Sequence, residues 1–191
     1  MSRRPLLPLI LLDRDGTLIV EREYLSDPAG VKLLPGVSVG MKRLKRAGFC
    51  VAVVSNQSGV GRGLMTLTQL KRVNQRFLQL LRRTKAAPDG VYWCPHGPSA
   101  RCPCRKPKLG MVKCAGRDLH VPWKKSISVG DRPSDVQLGQ KTGGQGILVL
   151  TGYGKKHLRQ WPGRRPDHIA KNFRQAVDWI LKMKVRSGYG Q

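Results

Sequence analysis

Residues 9–17 read LILLDRDGT, an apolar run that ends abruptly in acidic residues. The run, extended back to residue 6, predicts a short buried strand over residues 6–12. Asp13 and Asp15 follow at once, and Gly16 allows a tight turn in which the backbone can approach a ligand closely. Because parallel sheets bind ligands at the carboxyl ends of their strands, this stretch predicts a buried strand with an acidic site at its end.

The remainder of the chain alternates strand patterns and helix patterns. Apolar strands are predicted at residues 49–54, 91–93, 126–129, 146–150 and 168–170. Helices are predicted at residues 37–47, from Thr66 or Thr68 to roughly 85, and at 110–119, 133–141 and 174–183. This alternation predicts an α/β fold in which helices cover both faces of a parallel sheet. No repeat or composition break divides the sequence, so we expect a single domain over residues 1–191.

The chain is extremely basic, with 36 Lys and Arg against 11 Asp and Glu and a formal net charge of +25. This charge favours anionic partners such as phosphorylated metabolites or nucleic acid, but a general bias toward basic surface residues explains it equally well. No apolar run is long enough to predict a membrane span, and we expect no membrane partner. The apolar N-terminal stretch is short and lacks a cleavage site, so we expect a cytoplasmic protein.

The few acids are unevenly distributed along the sequence. Four of the 11 carboxylates lie in two short motifs and belong to Asp13, Asp15, Asp131 and Asp135. Acids clustered in this way on so basic a chain suggest a cation site. Two carboxylates at i and i+2 can also act as a nucleophile and as a general acid/base. By itself, however, a D-x-D-G turn fits a solvated turn or part of a calcium loop as well.

Polar groups that suit a phosphate follow other predicted strands. The second strand leads into hydroxyl and amide groups, which are neutral donors for phosphate oxygens: Ser55, Asn56, Gln57 and Ser58. Lys106 could balance the charge of carboxylates and phosphate together. Ordinary alternatives are a polar loop start and one more cation on a basic chain.

A second acidic motif follows the strand predicted at residues 126–129. Asp131 is placed to complete an oxygen-rich Mg²⁺ shell with Asp13. Asp135 would lie in the first turn of the next helix, where an acid also interacts favourably with the helix dipole. We therefore expect Arg132 and Asp135 to support the site from outside the direct ligands.

The order of these motifs carries a resemblance to a known family. LILLDRDGT, VVSNQSG, CRKP and SVGDRPSDV resemble the four successive motifs of the haloacid dehalogenase (HAD) superfamily of phosphatases. They occur in the same order on the predicted strands and cover essentially the whole chain. The Arg in D-R-D-G-T and the cysteine loop before CRKP are similar to those of the heptose 1,7-bisphosphate phosphatases and the related histidinol-phosphate phosphatases. The resemblance implies a Rossmann-like fold.

The resemblance also implies a role for each matching residue. Asp13 would be the nucleophile that forms an aspartyl-phosphate, and Asp15 the general acid/base. Ser55 and Lys106 would hold the phosphoryl group. Mg²⁺ would be bound by Asp13, the backbone carbonyl of Asp15 and Asp131. Expected substrate contacts are Glu21, Arg22, Glu23, Tyr24, Asn56, Gln57, Ser58 and Arg105.

A cysteine-rich loop at residues 94–104 predicts a second metal site. Its C-x-H-x5-C-x-C pattern consists of Cys94, His96, Cys102 and Cys104. Four nitrogen and sulfur ligands suit a tetrahedral structural Zn²⁺ with no open position, and the metal would order a loop that has no core of its own. The loop ends just before Lys106, so zinc would position the phosphate-binding cations. Cys50 and Cys114 are expected to be free thiols.

Substrate choice is less narrowly predicted. Only about twenty residues separate Asp15 from the next predicted helix, so no large cap domain fits there. By resemblance, the substrate is a sugar bisphosphate that loses its 7-phosphate in the synthesis of heptose precursors of lipopolysaccharide. Histidinol phosphate is the alternative within this class, and a zinc-containing nucleic-acid-binding protein is the alternative from another class. Low aromatic content, 6%, and the lack of a finger or basic helix disfavour nucleic acid. We expect a monomer.

Overall fold

The computed structural model describes residues 7–186 of the chain. Within this part, six parallel strands form one sheet: β1 Ile10–Leu12, β2 Val51–Asn56, β3 Gly90–Cys94, β4 Ile127–Gly130, β5 Gln145–Val149 and β6 His168–Ala170. Their order across the sheet is β3-β2-β1-β4-β5-β6, so β1 lies near the middle between β2 and β4. The prediction of an α/β fold with a parallel sheet is confirmed.

Seven α-helices connect or follow the described strands: α1 Val37–Arg46, α2 Ser58–Gly61, α3 Leu67–Arg83, α4 Gly110–Asp118, α5 Pro133–Lys141, α6 Gly154–Arg159 and α7 Phe173–Arg186. A 3-10 turn spans Pro28–Gly30. Thr66 rather than Thr68 caps α3, because its hydroxyl accepts from the backbone N–H of Gln69 in a capping box. The sequence patterns missed α2 and α6, which are four and six residues long and too short to show a helical period.

The bounds of β1 and β2 differ from the sequence prediction by two residues or more, whereas those of β3, β4 and β5 differ by a single residue. Among the described residues β1 begins only at Ile10, and residue 6 lies outside them. β2 continues through the polar residues Ser55 and Asn56, which pair with Trp93 and Cys94 of β3. Hydrogen bonding to a neighbouring strand, rather than apolar character, therefore decides where β2 ends.

Both faces of the sheet are covered, which explains why its central strands are almost continuously apolar. Ile10 and Leu12 face a core that also contains Met41 of α1, Phe77 of α3 and Phe173 of α7. Leu11 of β1, and Leu9 just before it, face a second core with Met111 of α4 and Leu138 of α5. The burial of one such side chain stabilises the fold by about 1.5–3 kcal/mol.

The layered arrangement leaves the carboxyl edge of the sheet open. In residues 7–186 no inserted cap domain covers that edge. No helix in this part of the chain is long and apolar enough to cross a membrane.

Candidate active site

The sheet register brings the predicted motifs together at one edge. Leu12 lies beside Val53 of β2 and Val129 of β4, so the residues that follow these positions meet at the carboxyl ends of three adjacent strands. Asp13, Ser55 and Arg132, which follow these positions, are among the residues that line a cavity of about 570 Å³. The polar side chains that the sequence predicted at separate strand ends therefore belong to one site.

Lys106 enters this site from the loop after β3 and is almost completely buried. Its Nζ lies 2.6 Å from Oδ1 of Asp13 and 2.7 Å from Oδ1 of Asp135. It also donates to the carbonyl of Val54 at 2.6 Å. The side chain of Asn56 holds the backbone of Lys106, accepting from its N–H at 2.9 Å and donating to its carbonyl at 3.2 Å. The strand end of β2 thus fixes the lysine in the site.

Three buried carboxylates, of Asp13, Asp131 and Asp135, form what we call the carboxylate cluster, with one oxygen from each within 4.8 Å of the others. Oδ2 of Asp131 accepts from the backbone N–H of Tyr153 at 2.7 Å, whereas its Oδ1 is buried without a hydrogen-bond partner among the described residues. The guanidinium of Arg132 reaches that Oδ1 only at 4.0 Å, and Lys106 contacts Asp13 and Asp135. Three buried acids beside one lysine and one more distant guanidinium leave negative charge that a divalent cation would neutralise.

Asp135 has a close donor at each of its two oxygens. Oδ1 faces Lys106, and Oδ2 accepts from the backbone N–H of Arg132 at 3.0 Å. Asp135 also belongs to the group of acids that could hold a cation, so its supporting role stays a prediction.

The electrostatics of the carboxylate cluster reflect its burial. Burial raises the pKa of Asp13 to about 7, although the neighbouring ammonium of Lys106 lowers it. Burial, with the charge of Asp13, raises the pKa of Asp131 to about 8. Burial lowers the pKa of Lys106, but the attraction of Asp13 and Asp135 outweighs it and raises that pKa above the usual value. The lysine is therefore charged, and a bound cation would favour the ionised carboxylates.

Asp15 lies at the rim of the carboxylate cluster and is held by two residues. Nε2 of Gln57 donates to its Oδ2 at 2.7 Å, and the guanidinium of Arg14 forms an ion pair with the same oxygen at 3.0 Å. Ser55 Oγ lies 3.5 Å from that oxygen and accepts from Gln57 at 2.7 Å. Gln57, predicted as a substrate contact, thus orients a carboxylate in the structure.

Arg14 and Asn74 contribute to the site in a way that the sequence analysis missed. The Arg14 side chain is only 1% exposed, and its NH1 group donates to Oδ1 of Asn74 on α3 at 2.6 Å. The sequence does carry a signal, because Asn74 interrupts the buried stripe of Leu70, Val73 and Phe77 on that helix. A polar residue on an apolar helix face indicates a buried partner.

The outer part of the cavity is lined by the loop at residues 21–24 and by side chains from three other loops. The predicted substrate contacts that line it are Glu21, Arg22, Glu23, Tyr24, Asn56, Gln57, Ser58 and Arg105. Arg105 also donates to the carbonyl of His96 at 3.3 Å. The lining residues that the sequence analysis did not single out include Arg62, Tyr153, Lys156 and His157.

The four residues of the cysteine-rich loop lie together beside the site. Cys94, at the end of β3, has its Sγ 3.5 Å from Nδ1 of His96, 3.7 Å from Sγ of Cys102 and 3.1 Å from Sγ of Cys104. The edges of a tetrahedral zinc–thiolate site measure about 3.7 Å, so the four donors could hold a zinc ion. Burial raises the pKa of Cys94 to about 12, and a metal would have to displace its proton.

Comparisons with known proteins identify the family of the chain. A HAD-hydrolase-like family model matches residues 103–176. D-glycero-D-manno-heptose-1,7-bisphosphate 7-phosphatase of Thermosynechococcus vestitus is 33% identical over 186 residues, covering 91% of this chain and 95% of the relative. D-glycero-beta-D-manno-heptose-1,7-bisphosphate 7-phosphatase of Escherichia coli K12 is 34% identical over 182 residues, covering 91% and 88%.

A solved structure supports the same assignment. The D,D-heptose 1,7-bisphosphate phosphatase from B. bronchiseptica, in complex with magnesium and phosphate, superposes with a TM-score of 0.84 at 30% identity. The match covers 93% of this chain and 99% of that one. The chain belongs to the D-glycero-D-manno-heptose-1,7-bisphosphate 7-phosphatase family of HAD-like hydrolases.

Proposed function

We propose that this protein is a Mg²⁺-dependent phosphatase that removes the 7-phosphate of D-glycero-D-manno-heptose 1,7-bisphosphate. The observation that carries the proposal is the contact of Asp13 with Lys106 at the open end of the sheet. The relatives named above supply the substrate, and the cavity of about 570 Å³ is large enough for a sugar with two phosphates. The product would serve the synthesis of heptose precursors of lipopolysaccharide.

Asp13 acts as the nucleophile in this proposal. Its Oδ1 is occupied by Lys106, and the carboxylate lines the cavity, so the second oxygen can attack phosphorus. The bond from phosphorus to the sugar oxygen breaks as the aspartyl-phosphate forms. Water then attacks that phosphorus, which releases inorganic phosphate and regenerates the carboxylate.

Asp15 acts as the general acid/base. It gives a proton to the leaving sugar oxygen in the first step and takes one from the attacking water in the second. The hydrogen bonds from Arg14 and Gln57 hold its carboxylate beside the phosphoryl position. Asp15 needs such support because its carboxylate, which is only partly buried, would otherwise sample several rotamers.

Lys106 balances the charge of the phosphoryl group, and the hydroxyl of Ser55 donates to one of its oxygens. Asp13, Asp131 and the backbone carbonyl of Asp15 would hold Mg²⁺, which neutralises phosphoryl oxygen charge when bound. A structural zinc on the cysteine-rich loop would fix the backbone that presents Arg105 and Lys106.

The second phosphate of the substrate needs cations farther out. Arg62, Arg105 and Lys156 line the outer cavity and carry positive charge without a carboxylate partner within ion-pair distance in the described part of the chain. We therefore place the phosphate that is not hydrolysed against this basic side of the rim. The monomeric state, the cytoplasmic location and the single-domain organisation over residues 1–191 remain predictions.

A phosphate-release panel tests the proposal. It compares heptose 1,7-bisphosphate, histidinol phosphate, fructose 1,6-bisphosphate and a 3′-phosphorylated oligonucleotide, each with Mg²⁺ and with a chelator. We expect the heptose bisphosphate to be preferred and Asp13→Asn to abolish release. Preference for the oligonucleotide or for histidinol phosphate would overturn the substrate assignment, and release by Asp13→Asn would overturn the mechanism.

A further inference from the structure

The turn after β5 is anchored by its backbone beside the carboxylate cluster. The N–H of Tyr153 donates to Oδ2 of Asp131 at 2.7 Å, and the hydroxyl of Thr151 donates to the carbonyl of Gly16 at 2.6 Å. Gly152 between them has a φ of 52°, and a Cβ there would overlap the Asp131 carboxylate. The position of Tyr153 is therefore determined by contacts that do not involve its side chain.

From this anchored backbone the side chain of Tyr153 reaches the loop at residues 21–24. Its hydroxyl donates to Oε1 of Glu23 at 3.1 Å. The guanidinium of Arg132 lies over its ring, with Cζ 4.5 Å from the ring centroid. Arg132 in turn donates to Oε2 of Glu21 at 3.4 Å. Both acids of the loop are thus tied, directly or through Arg132, to Tyr153.

Among the described residues, the other contacts of this loop come mainly from Tyr24, whose ring lies against Gly59. Arg22, Glu23 and Tyr24 are all exposed, so little apolar burial stabilises their arrangement. A surface segment of this kind takes its order from a few specific bonds. Arg62 over the ring of Tyr24, at 5.9 Å, is a weaker contact on the opposite side.

We propose that Tyr153 is a positioning residue that fixes the loop at residues 21–24 as one wall of the substrate cavity and so sets the affinity for the sugar phosphate. This inference rests on the proposed phosphatase function. The hydrogen bond from Tyr153 to Glu23 also has an electrostatic effect, because the hydroxyl offsets part of the charge of the Glu23 carboxylate. Without it, an unpaired carboxylate would face an anionic substrate at the mouth of the cavity.

The side chain of Tyr153 contacts the groups that hold the loop at residues 21–24 and does not contact the carboxylate cluster. Its side chain contacts Glu23, Arg132 and His157, whereas its backbone N–H contacts Asp131. A substitution of the side chain keeps that N–H. We therefore expect a change in KM for substrates that fill the outer cavity, with kcat retained.

The test compares Tyr153→Phe and Tyr153→Ala with the wild-type protein on heptose bisphosphate and on p-nitrophenyl phosphate. Loss of the hydroxyl should raise KM for the heptose bisphosphate by about fivefold to tenfold, as expected for one hydrogen bond to a charged group near solvent. Tyr153→Ala also loses the stacking on Arg132 and should raise KM further. For p-nitrophenyl phosphate, which need only reach the phosphoryl centre, kcat/KM should stay within about twofold.

A double-mutant cycle with Glu23→Ala separates this role from a general loss of stability. If the Tyr153–Glu23 bond carries the effect, the double variant should have nearly the KM of Glu23→Ala alone. Tyr92→Phe, which removes a hydroxyl from β3 outside the cavity lining, serves as the matched control. Thermal unfolding of every variant checks that the fold is retained.

Several outcomes would overturn the inference. One is an unchanged KM in Tyr153→Phe, another is equal losses on both substrates, and a third is additive effects in the cycle. If the wild-type protein hydrolyses a different sugar phosphate, the substrate proposed above is wrong, but the role of Tyr153 is still open to test. The same comparison on that ester then decides the role of Tyr153, so the two failures are distinguishable.

Discussion

Nζ of Lys106 lies 2.6 Å from Oδ1 of Asp13, although 93 residues separate the two in the chain. Both side chains are buried, with 2% and 7% of their surface exposed. The same ammonium contacts Asp135 at 2.7 Å. One lysine thus compensates the negative charge of two buried acids. We expect the stability of this region to depend on that lysine.

Replacement of Lys106 by Met should destabilise the protein and abolish its activity. A buried carboxylate pair left without its cation costs about 3–5 kcal/mol in the free energy of unfolding. Phosphate release should fall by at least about a hundredfold, because the phosphoryl charge is no longer balanced. Urea unfolding and steady-state kinetics measure both. Lys71→Met, on the exposed side of α3, is the control and should change stability by less than about 0.5 kcal/mol; equal effects of the two substitutions would contradict the assignment.

Asn74→Ala should leave the guanidinium of Arg14 without its acceptor on α3. An unsatisfied buried donor costs about 1–3 kcal/mol, so the urea midpoint should fall. We also expect a lower kcat, since the same guanidinium orients Asp15. Gln75→Ala changes the next residue on the same helix, which is exposed, and should leave both quantities nearly unchanged. If Asn74→Ala loses no more stability than this control, the hydrogen bond from Arg14 to Asn74 does not stabilise the site.

Cys102→Ser should release the zinc and reduce turnover through the loop that carries Lys106. The protein should contain about one zinc per chain by elemental analysis, and the variant close to none. Cys50→Ser and Cys114→Ser change thiols outside the Cys94, His96, Cys102 and Cys104 group and should retain the metal. If Cys102→Ser loses zinc yet keeps full turnover, zinc does not act by positioning the phosphate-binding residues.

The affinity for Mg²⁺ should increase with pH. Asp13 and Asp131, with pKa values of about 7 and about 8 in the cation-free protein, must lose their protons before the cation binds. Because these pKa values are raised on folding, the cation-free protein holds more protons than its unfolded chain between about pH 4 and about pH 8, and its stability falls as pH rises through this window.

Thermal unfolding with and without Mg²⁺ measures this linkage. The increase in Tm on Mg²⁺ addition should be larger near about pH 8 than near about pH 6. Asp131→Asn removes one of the titrating ligands and should flatten the pH dependence. An increase in Tm that does not vary with pH in the wild-type protein would be inconsistent with the raised pKa values.

Gly152→Ala and Gly63→Ala form a matched pair that tests the packing around Asp131. Both glycines have a positive φ, of 52° and 72°, so alanine costs about 1 kcal/mol of backbone strain at either position. A Cβ at Gly152 also overlaps the Asp131 carboxylate, whereas one at Gly63 meets nothing within 4 Å. We expect only Gly152→Ala to weaken Mg²⁺ binding and phosphate release. Retained activity in Gly152→Ala would contradict this prediction, because the turn would then accept a Cβ without displacing the Asp131 carboxylate.

Much of the fold could be predicted from local patterns because each strand and long helix is a contiguous stretch with its own period. The apolar run before Asp13 is β1, and the helix pattern of α5 has the bounds that the structure shows, Pro133–Lys141. The short helices α2 and α6 were not predicted, because a stretch of one or two turns is too short to show a helical period. The end of β2 was predicted too early, because pairing with β3 extends the strand through two polar residues.

The candidate site divides in the same way. Asp13, Asp15, Asp131 and the four zinc-loop residues could be proposed from the sequence because each sits in a short motif whose chemistry is local. Asn74 and Tyr153, and the contact that Arg14 makes with Asn74, were missed because these roles consist of contacts with distant residues. Asn74 lies 60 positions from Arg14, and the Tyr153 hydroxyl meets Glu23 across 130 positions.

By itself, the sequence determined which groups follow each strand: two carboxylates after β1, a hydroxyl and amides at the end of β2, and a lysine after the cysteine-rich loop. Only the tertiary structure decided that Lys106 contacts Asp13 and Asp135 and that Tyr153 bridges Asp131 and Glu23. The reason is physical. Residue types and local periods are properties of adjacent positions, whereas these distances are set by strand order, register and the packing of loops at the open edge of the sheet.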